Sequence, residues 1–256
     1  MGTMREYLRE QYRRLEQVIV PGLRYSTNAY CDLVMSALGP DVDWLDIGCG
    51  HQAFAAWMRA EQQKAYSKCR SAYGIDPDFE GLKKHPDLRN KVMVAGDVIP
   101  FRDAGFGLVT ANMVLEHLAA PADFLREVYR VLRPGGLFIG HTPNRWGYRT
   151  IAARAVSNQR IKNMLIKLFE NREEHDVFPT FYRFNQVDEV QELARKAGFE
   201  VDKIETVESN ANFQMLLPLA AVELLFIRLL HAKAARKIRS VLLVSLRKPL
   251  SPPGPG

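Results

Sequence analysis

The sequence predicts an α/β fold: a mostly parallel sheet with helices on both faces. Two observations carry this. Short apolar runs alternate with helical stretches from residue 42 to residue 142, and the first of these runs passes at once into Gly48-Cys49-Gly50. Strands that alternate with helices are joined by right-handed crossovers, which require parallel pairing. At 256 residues, 47% hydrophobic and 25% charged, the chain can bury a core of ordinary globular composition.

Charged residues alternate with Tyr7, Leu8, Tyr12 and Leu15 over 5–17, which predicts an amphipathic helix ended by Pro21-Gly22. A second helix is expected over 26–38, so residues 1–39 form an N-terminal helical cap. The core is expected over 40–144. Its first strand is 42–47, followed by a helix over 52–67 with Ala53, Phe54, Ala56 and Trp57 turned inward. Further strands are predicted at 71–76, 91–97 and 107–112. A helix over 121–132 is then broken by Pro134-Gly135-Gly136, and a strand follows at 137–142.

The alternation stops after Asn144. Residues 145–184 hold a helical stretch at 151–170 and an acidic, aromatic stretch, and are too long for an ordinary loop; an inserted lid is expected. The C-terminal part of the core, 185–250, reads as a helix at 186–197, a strand at 199–207, an apolar helix at 213–230 and a last strand at 240–248. Residues 251–256, SPPGPG, read as a disordered tail.

Formal net charge is +6, which permits contact with nucleic acid or an anionic membrane without requiring either. Cys31, Cys49 and Cys69 are widely spaced and form no C-x-x-C pair, a pattern suited to a reducing compartment and not to a zinc site. The charged N-terminus has no apolar signal region, so a cytoplasmic address is expected.

Ligands of open α/β sheets bind beyond the carboxyl ends of the strands, and the polar residues of this chain cluster there. Gly48 and Gly50 allow close backbone approach, and the helix after them offers free N–H groups. Asp46 stands just before the glycines, where a carboxylate is ill-placed beside a pyrophosphate but suits a cationic amino group. Asp76 ends the second strand and can accept ribose hydroxyls. Asp97 ends the third and can accept an adenine amine, with Val98 offering its backbone N–H. Taken singly, the glycine pair can be a tight turn, Asp76 a helix cap and Asp97 a turn former. Together, in order, they favour S-adenosyl-L-methionine over a nicotinamide dinucleotide.

The segments LDIGCG, YGIDPD, AGDVIPF, FGLVTANMVLEHL and LREVYRVLRPGGLFIGHTPN resemble, in order and spacing, the class I S-adenosylmethionine-dependent methyltransferases, and among them the small-molecule branch that includes the ubiquinone-type O-methyltransferases. The resemblance covers roughly 40–144. It implies a Rossmann-like seven-stranded sheet ending in an antiparallel hairpin, and a cofactor-binding set of Asp46, Gly48, Cys49, Gly50, Asp76, Pro77, Asp97, Val98, Asn112 and Met113. Cys49 enters that set through its backbone, as a small packed residue.

Methyl transfer is an in-line displacement that needs alignment of the acceptor, and a general base only for a poor nucleophile. His117, in the Glu116-His117 pair, is the first candidate base; the plainer reading is a helix-cap or core histidine. His141, at the end of the fifth strand, is the second. Some quinone-type relatives hold a divalent metal near this pair, but Asn112 stands where a further acid would help, so no metal is expected. His175-Asp176 and Tyr182-Arg183 are read as acceptor contacts or lid ties.

From Phe213 to Leu230 the chain is almost continuously apolar, broken by Pro218, Glu223 and Arg228, and then comes a basic run, His231, Lys233, Arg236, Lys237 and Arg239. Two readings stand side by side: residues 213–239 lie on an anionic membrane surface at its inner face, or they pack on the sheet or in a homodimer interface. The expected function is O-methylation of an apolar, lipid-linked or sugar-derived small molecule. The alternatives are a nucleic-acid methyltransferase and a non-catalytic cofactor-fold binding protein. No Asn-Pro-Pro-Tyr arrangement and no aromatic-interleaved basic stretch supports the nucleic-acid reading.

Overall fold

A computed structural model describes residues 2–94, 98–155, 179–209, 213 and 215–251. Two helices come first, α1 (Gly2–Ile19) and α2 (Ser26–Ala37). The α/β alternation follows: β1 (Asp43–Ile47), α3 (Arg59–Lys68), β2 (Ser71–Asp76), α4 (Phe79–Lys84), β3 (Asn90–Met93), β4 (Phe106–Asn112), α5 (Pro121–Val131) and β5 (Leu132–Pro143). The chain continues with α6 (Tyr148–Ala155), α7 (Val187–Lys196), β6 (Glu200–Val207), α8 (Leu217–Leu230) and β7 (Val241–Arg247).

The seven strands form one sheet in the order β3-β2-β1-β4-β5-β7-β6. β1 pairs in parallel with β2 and with β4, β2 with β3, and β4 with β5. The chain thus leaves β1 toward one edge, and returns to build the other edge from β4. That reversal opens a crevice at the carboxyl ends of β1 and β4. The register sets Asp46 opposite Thr110 there.

The chain divides into two compact units. The larger comprises Thr27–Pro143, Pro179–Glu205 and Leu242–Gly256. Its core joins Leu45, Val109 and Phe138 of the sheet to Leu125 and Val128 of α5 and Val190 of α7, all fully buried. Helix α5 shows why such segments become helices: Pro121 opens it, and Phe124, Leu125, Val128 and Val131 fall on one buried stripe. The smaller unit comprises Met1–Ser26, Asn144–Phe178 and Thr206–Val241. In it, Tyr12 and Val20 of the N-terminal segment pack on Ala220, Leu224 and Ile227 of α8.

Three expectations are corrected. The helix after the glycine turn does not begin at 52: a short 3₁₀ turn spans Ala56–Met58 and α3 starts at Arg59. Ala53 and Phe54 are buried, but ahead of the helix, because the Gln62 side-chain carbonyl accepts the Ala53 N–H at 2.9 Å and holds this stretch as a loop. Ala56 is exposed and Trp57 is 67% exposed, so neither is turned inward. Pro134-Gly135-Gly136 does not separate helix from strand. Helix α5 has already ended, and the three residues lie inside β5, held by Gly135 N–H to Lys248 O (2.8 Å) and Lys248 N–H to Gly136 O (2.9 Å). Finally, the apolar stretch at 213–230 is helical only from Leu217. No helix among the described residues is long and apolar enough to cross a membrane. Residues 95–97 of the expected third strand, and 156–178 of the expected lid, lie outside the described residues.

Candidate active site

The glycine turn follows from the local backbone. Gly48 and Gly50 have φ of +66° and +45°, left-handed values that cost a side-chain-bearing residue about 1–2 kcal/mol. Gly48 is also sterically required, since an added Cβ would lie 2.3 Å from Val114 Cγ2. The N–H groups of Gly48 and Cys49 both donate to Ile75 O, at 2.8 and 3.2 Å, tying the turn to β2. Cys49 is buried against Leu82 and Leu88, and burial pushes its thiol up, so it stays protonated and packed.

Asp76 locks the same turn. Its Oδ2 accepts the Gly50 N–H at 2.8 Å and its Oδ1 the Asp78 N–H at 2.8 Å. Each oxygen keeps a second lone pair for a further donor. Burial holds its carboxyl above the usual carboxylate range. Pro77 is exposed beside it, and Val98 is 70% exposed. Asp97 lies outside the described residues.

Asp46 is a deeply buried acid of the site. It is 2% exposed, and Thr110 Oγ1 donates to its Oδ1 at 2.6 Å while accepting from Trp44 Nε1 at 2.8 Å. Its Oδ2 is buried and has no partner. Burial, opposed by the Thr110 bond and reinforced by the charge of Asp76, pushes the carboxyl up to about 7. A buried carboxylate with an orphaned oxygen is expensive unless a cation or a strong donor meets it.

Two further orphaned atoms belong to the same unit: the Tyr30 hydroxyl of α2 and Nε2 of His141. The two rings stack with centroids 5.3 Å apart. Asn112 fixes the imidazole. Its Nδ2 donates to Ala53 O at 3.1 Å, so its Oδ1 faces His141 Nδ1 at 2.7 Å and must accept. The proton therefore sits on Nδ1, leaving Nε2 as a bare lone pair. Full burial pushes this imidazole down to about 4, so it is neutral at physiological pH. Met113 adopts φ +57°, rare for a residue other than glycine, and donates its N–H to His141 O at 2.7 Å. Backbone in that region is strained and persists where the surroundings over-determine it.

Glu116 and His117 are differently employed. Glu116 is buried; its Oε2 accepts from Thr142 Oγ1 at 2.9 Å, which in turn accepts from Asn185 Nδ2 at 2.7 Å. The backbone oxygen of Glu116 accepts from the N–H groups of Phe181 and Tyr182. His117 Nδ1 donates to Pro179 O at 2.8 Å, and Nε2 lies 3.9 Å from Glu116 Oε1. Arg183 donates to Ala119 O at 2.7 Å. The pair thus anchors residues 179–183, and Tyr182-Arg183 serve as ties there; His175-Asp176 lie outside the described residues. Among the described residues no three metal-ligating side chains converge.

The structure therefore gathers Asp46, Gly48, Gly50, Asp76, Asn112, Met113 and His141 at the ends of β1, β2, β4 and β5. Sequence reasoning missed Tyr30 and Thr110. Thr110 left a faint signal, a lone hydroxyl in the middle of the strand; Tyr30 left none.

A family profile described as "Methyltransferase domain" matches residues 5–204. Among curated proteins, a fatty-acid O-methyltransferase of Mycolicibacterium smegmatis is 32% identical over 123 residues, 45% of this chain and 42% of that protein. A ubiquinone biosynthesis O-methyltransferase of Parvibaculum lavamentivorans is 27% identical over 198 residues, 73% of this chain and 71% of that protein. The chain spans less than half the length of the first curated relatives it matches. In fold it is similar to an S-adenosylmethionine-dependent methyltransferase from Mesorhizobium loti, with a TM-score of 0.54, 17% identity, and coverage of 86% of this chain and 96% of that one.

Proposed function

The chain belongs to the methyltransferase-domain family, of class I, and from that premise we propose that it transfers a methyl group from S-adenosyl-L-methionine to an oxygen of an apolar small molecule. The observation that carries the reading is Asp46 Oδ2, buried and unpartnered at the switch point of the sheet. The donor set fits the cofactor: an anion for the α-ammonium group, a glycine turn for close backbone approach, and an acid with spare lone pairs for the ribose. When bound, the cofactor supplies a methyl group already activated on a sulfonium.

The residues of the chain then have distinct tasks. Asp46 receives the ammonium group, which offsets its desolvation. Asp76 accepts the ribose hydroxyls while holding the turn. Asp97 and Val98 take the adenine edge, and Asn112 and Met113 border the methyl group. His141 Nε2 accepts the proton of the acceptor hydroxyl, and Asn112 keeps the imidazole in the tautomer that leaves Nε2 bare. His117 holds residues 179–183 in place. The names of the fatty-acid and ubiquinone biosynthesis O-methyltransferase relatives support an oxygen acceptor on an apolar body.

Calorimetry with S-adenosyl-L-methionine tests the first half of the proposal, and transfer of an isotopically heavy methyl group into a lipid extract tests the second. Absence of cofactor binding by the folded protein removes the reading. Tight binding with no transfer to any acceptor would leave a non-catalytic binding protein.

A further inference from the structure

Helix α8 is apolar except at Glu223 and Arg228; among the described residues one side packs on the N-terminal segment, and Phe226 meets the Tyr148 ring with centroids 5.0 Å apart. Ala220, Leu224 and Ile227 are fully buried against the N-terminal helix, with Tyr12 and Val20. On the opposite side Leu219, Val222, Leu225 and Leu229 are exposed, at 48%, 65%, 53% and 68%. These positions recur every three or four residues and so line one stripe of the helix. A contiguous exposed apolar stripe of this kind marks a contact surface.

The charges that follow the stripe along the chain indicate what covers it. The only acid of α8 is Glu223, which is buried and accepts the Phe213 N–H at 3.1 Å. No Asp or Glu follows it in the sequence, whereas seven Lys and Arg do. The 3₁₀ turn Lys233–Ile238 begins two residues after the helix ends, and Arg239 ties the two together by donating to Leu230 O (3.0 Å) and His231 O (3.2 Å). Arg228, Arg236 and Lys237 are exposed. From Leu224 to Lys248 the chain supplies seven cations and no acid, so this segment favours an anionic surface over a second copy of itself. An anionic lipid surface supplies both an apolar phase for the stripe and negative charge for the turn.

We propose that the outer face of α8 and the basic turn after it dock this protein on an anionic lipid surface. The docking is peripheral: the 14 residues of α8 lie along the interface and do not span the bilayer. This surface is separate from the acceptor and cofactor assignments and does not depend on them.

The test is co-sedimentation of the full chain with vesicles of phosphatidylcholine alone and of equimolar phosphatidylcholine and phosphatidylglycerol. The chain pellets with the anionic vesicles only, and less as salt rises. Joint Arg236→Gln and Lys237→Gln lowers partitioning roughly 30-fold, as expected for two cations near an anionic surface. Leu225→Asn lowers it by about tenfold, as expected for losing one apolar side chain from the lipid phase. The proposal is overturned by any of three results: no anion-dependent pelleting at low salt, wild-type pelleting of the charge variant, or a solution dimer that Leu225→Asn splits without any vesicle binding. If Leu225→Asn fails to fold by circular dichroism, the charge variant decides alone.

Discussion

Replacing Asp46 by Asn should make the cofactor-free protein more stable while removing cofactor affinity. The Asp46 carboxyl titrates near 3.8 when unfolded and is pushed up to about 7 in the fold by burial. Between those values the folded state holds a proton that the unfolded state has lost. Stability is therefore greatest at acid pH as far as this group is concerned, falls as pH rises from 3.8 to about 7, and is level above that. The full penalty is about 4 kcal/mol, at 1.36 kcal/mol per pH unit. Asn keeps the shape and avoids the penalty, so D46N should gain stability over wild type at pH 8 and gain little at pH 4. Binding should show the mirror image. A cationic amino group needs the carboxylate, so wild-type affinity should climb up to tenfold per pH unit below about 7 and then level. Cofactor uptake at pH 6 should release a proton. Urea titrations at the two pH values measure the first effect; calorimetry in buffers of different ionisation enthalpy measures the second. Affinity that is flat from pH 5 to pH 8, with D46N binding as wild type, would refute the reasoning.

Asp76→Ala should weaken cofactor binding by about 1.5–3 kcal/mol, the usual value for hydrogen bonds to a charged group. It should also lower stability, because the Gly50 and Asp78 amides lose their acceptor; calorimetry and denaturant titration separate the two effects. Gly48→Ala should destabilise the fold by at least about 1–2 kcal/mol from φ alone, with the Val114 clash adding to it, so a wild-type midpoint would disprove the strain. His141→Gln should slow the chemical step by about 10²–10⁴-fold with cofactor affinity nearly intact, whereas His117→Gln should act mainly on the ordering of residues 179–183. Single-turnover rates distinguish the two, and equal, near-wild-type rates would mean that alignment alone drives transfer.

The glycine turn and the strand-end acids Asp46 and Asp76 were legible because they break local expectation: glycines where a strand should run on, carboxylates where apolar residues should end. Their chemistry is written in residue types at fixed spacing. Tyr30 and Thr110 were not legible, because their importance comes from neighbours distant in sequence. Thr110 matters through its register opposite Asp46, and Tyr30 through its stacking on His141. The early helix start at 52 failed for a related reason, since one side chain, Gln62, holds Ala53 in a loop. The Pro-Gly-Gly segment stayed extended because Lys248, more than a hundred residues later, pairs with it. Helix α8 was ambiguous in principle. A segment apolar at nearly every position carries little period to say which face turns inward, and its packing on Tyr12 and Val20 fixes one.

The measurement that bears most directly on the central claim is mass spectrometry of a lipid extract incubated with the full chain and S-adenosyl-L-methionine carrying an isotopically heavy methyl group. Heavy methyl groups should appear on the oxygen of an organic-soluble small molecule, be lost in D46N and be strongly reduced in His141→Gln. Cofactor binding with no labelled small molecule, or label found in nucleic acid alone, would contradict it.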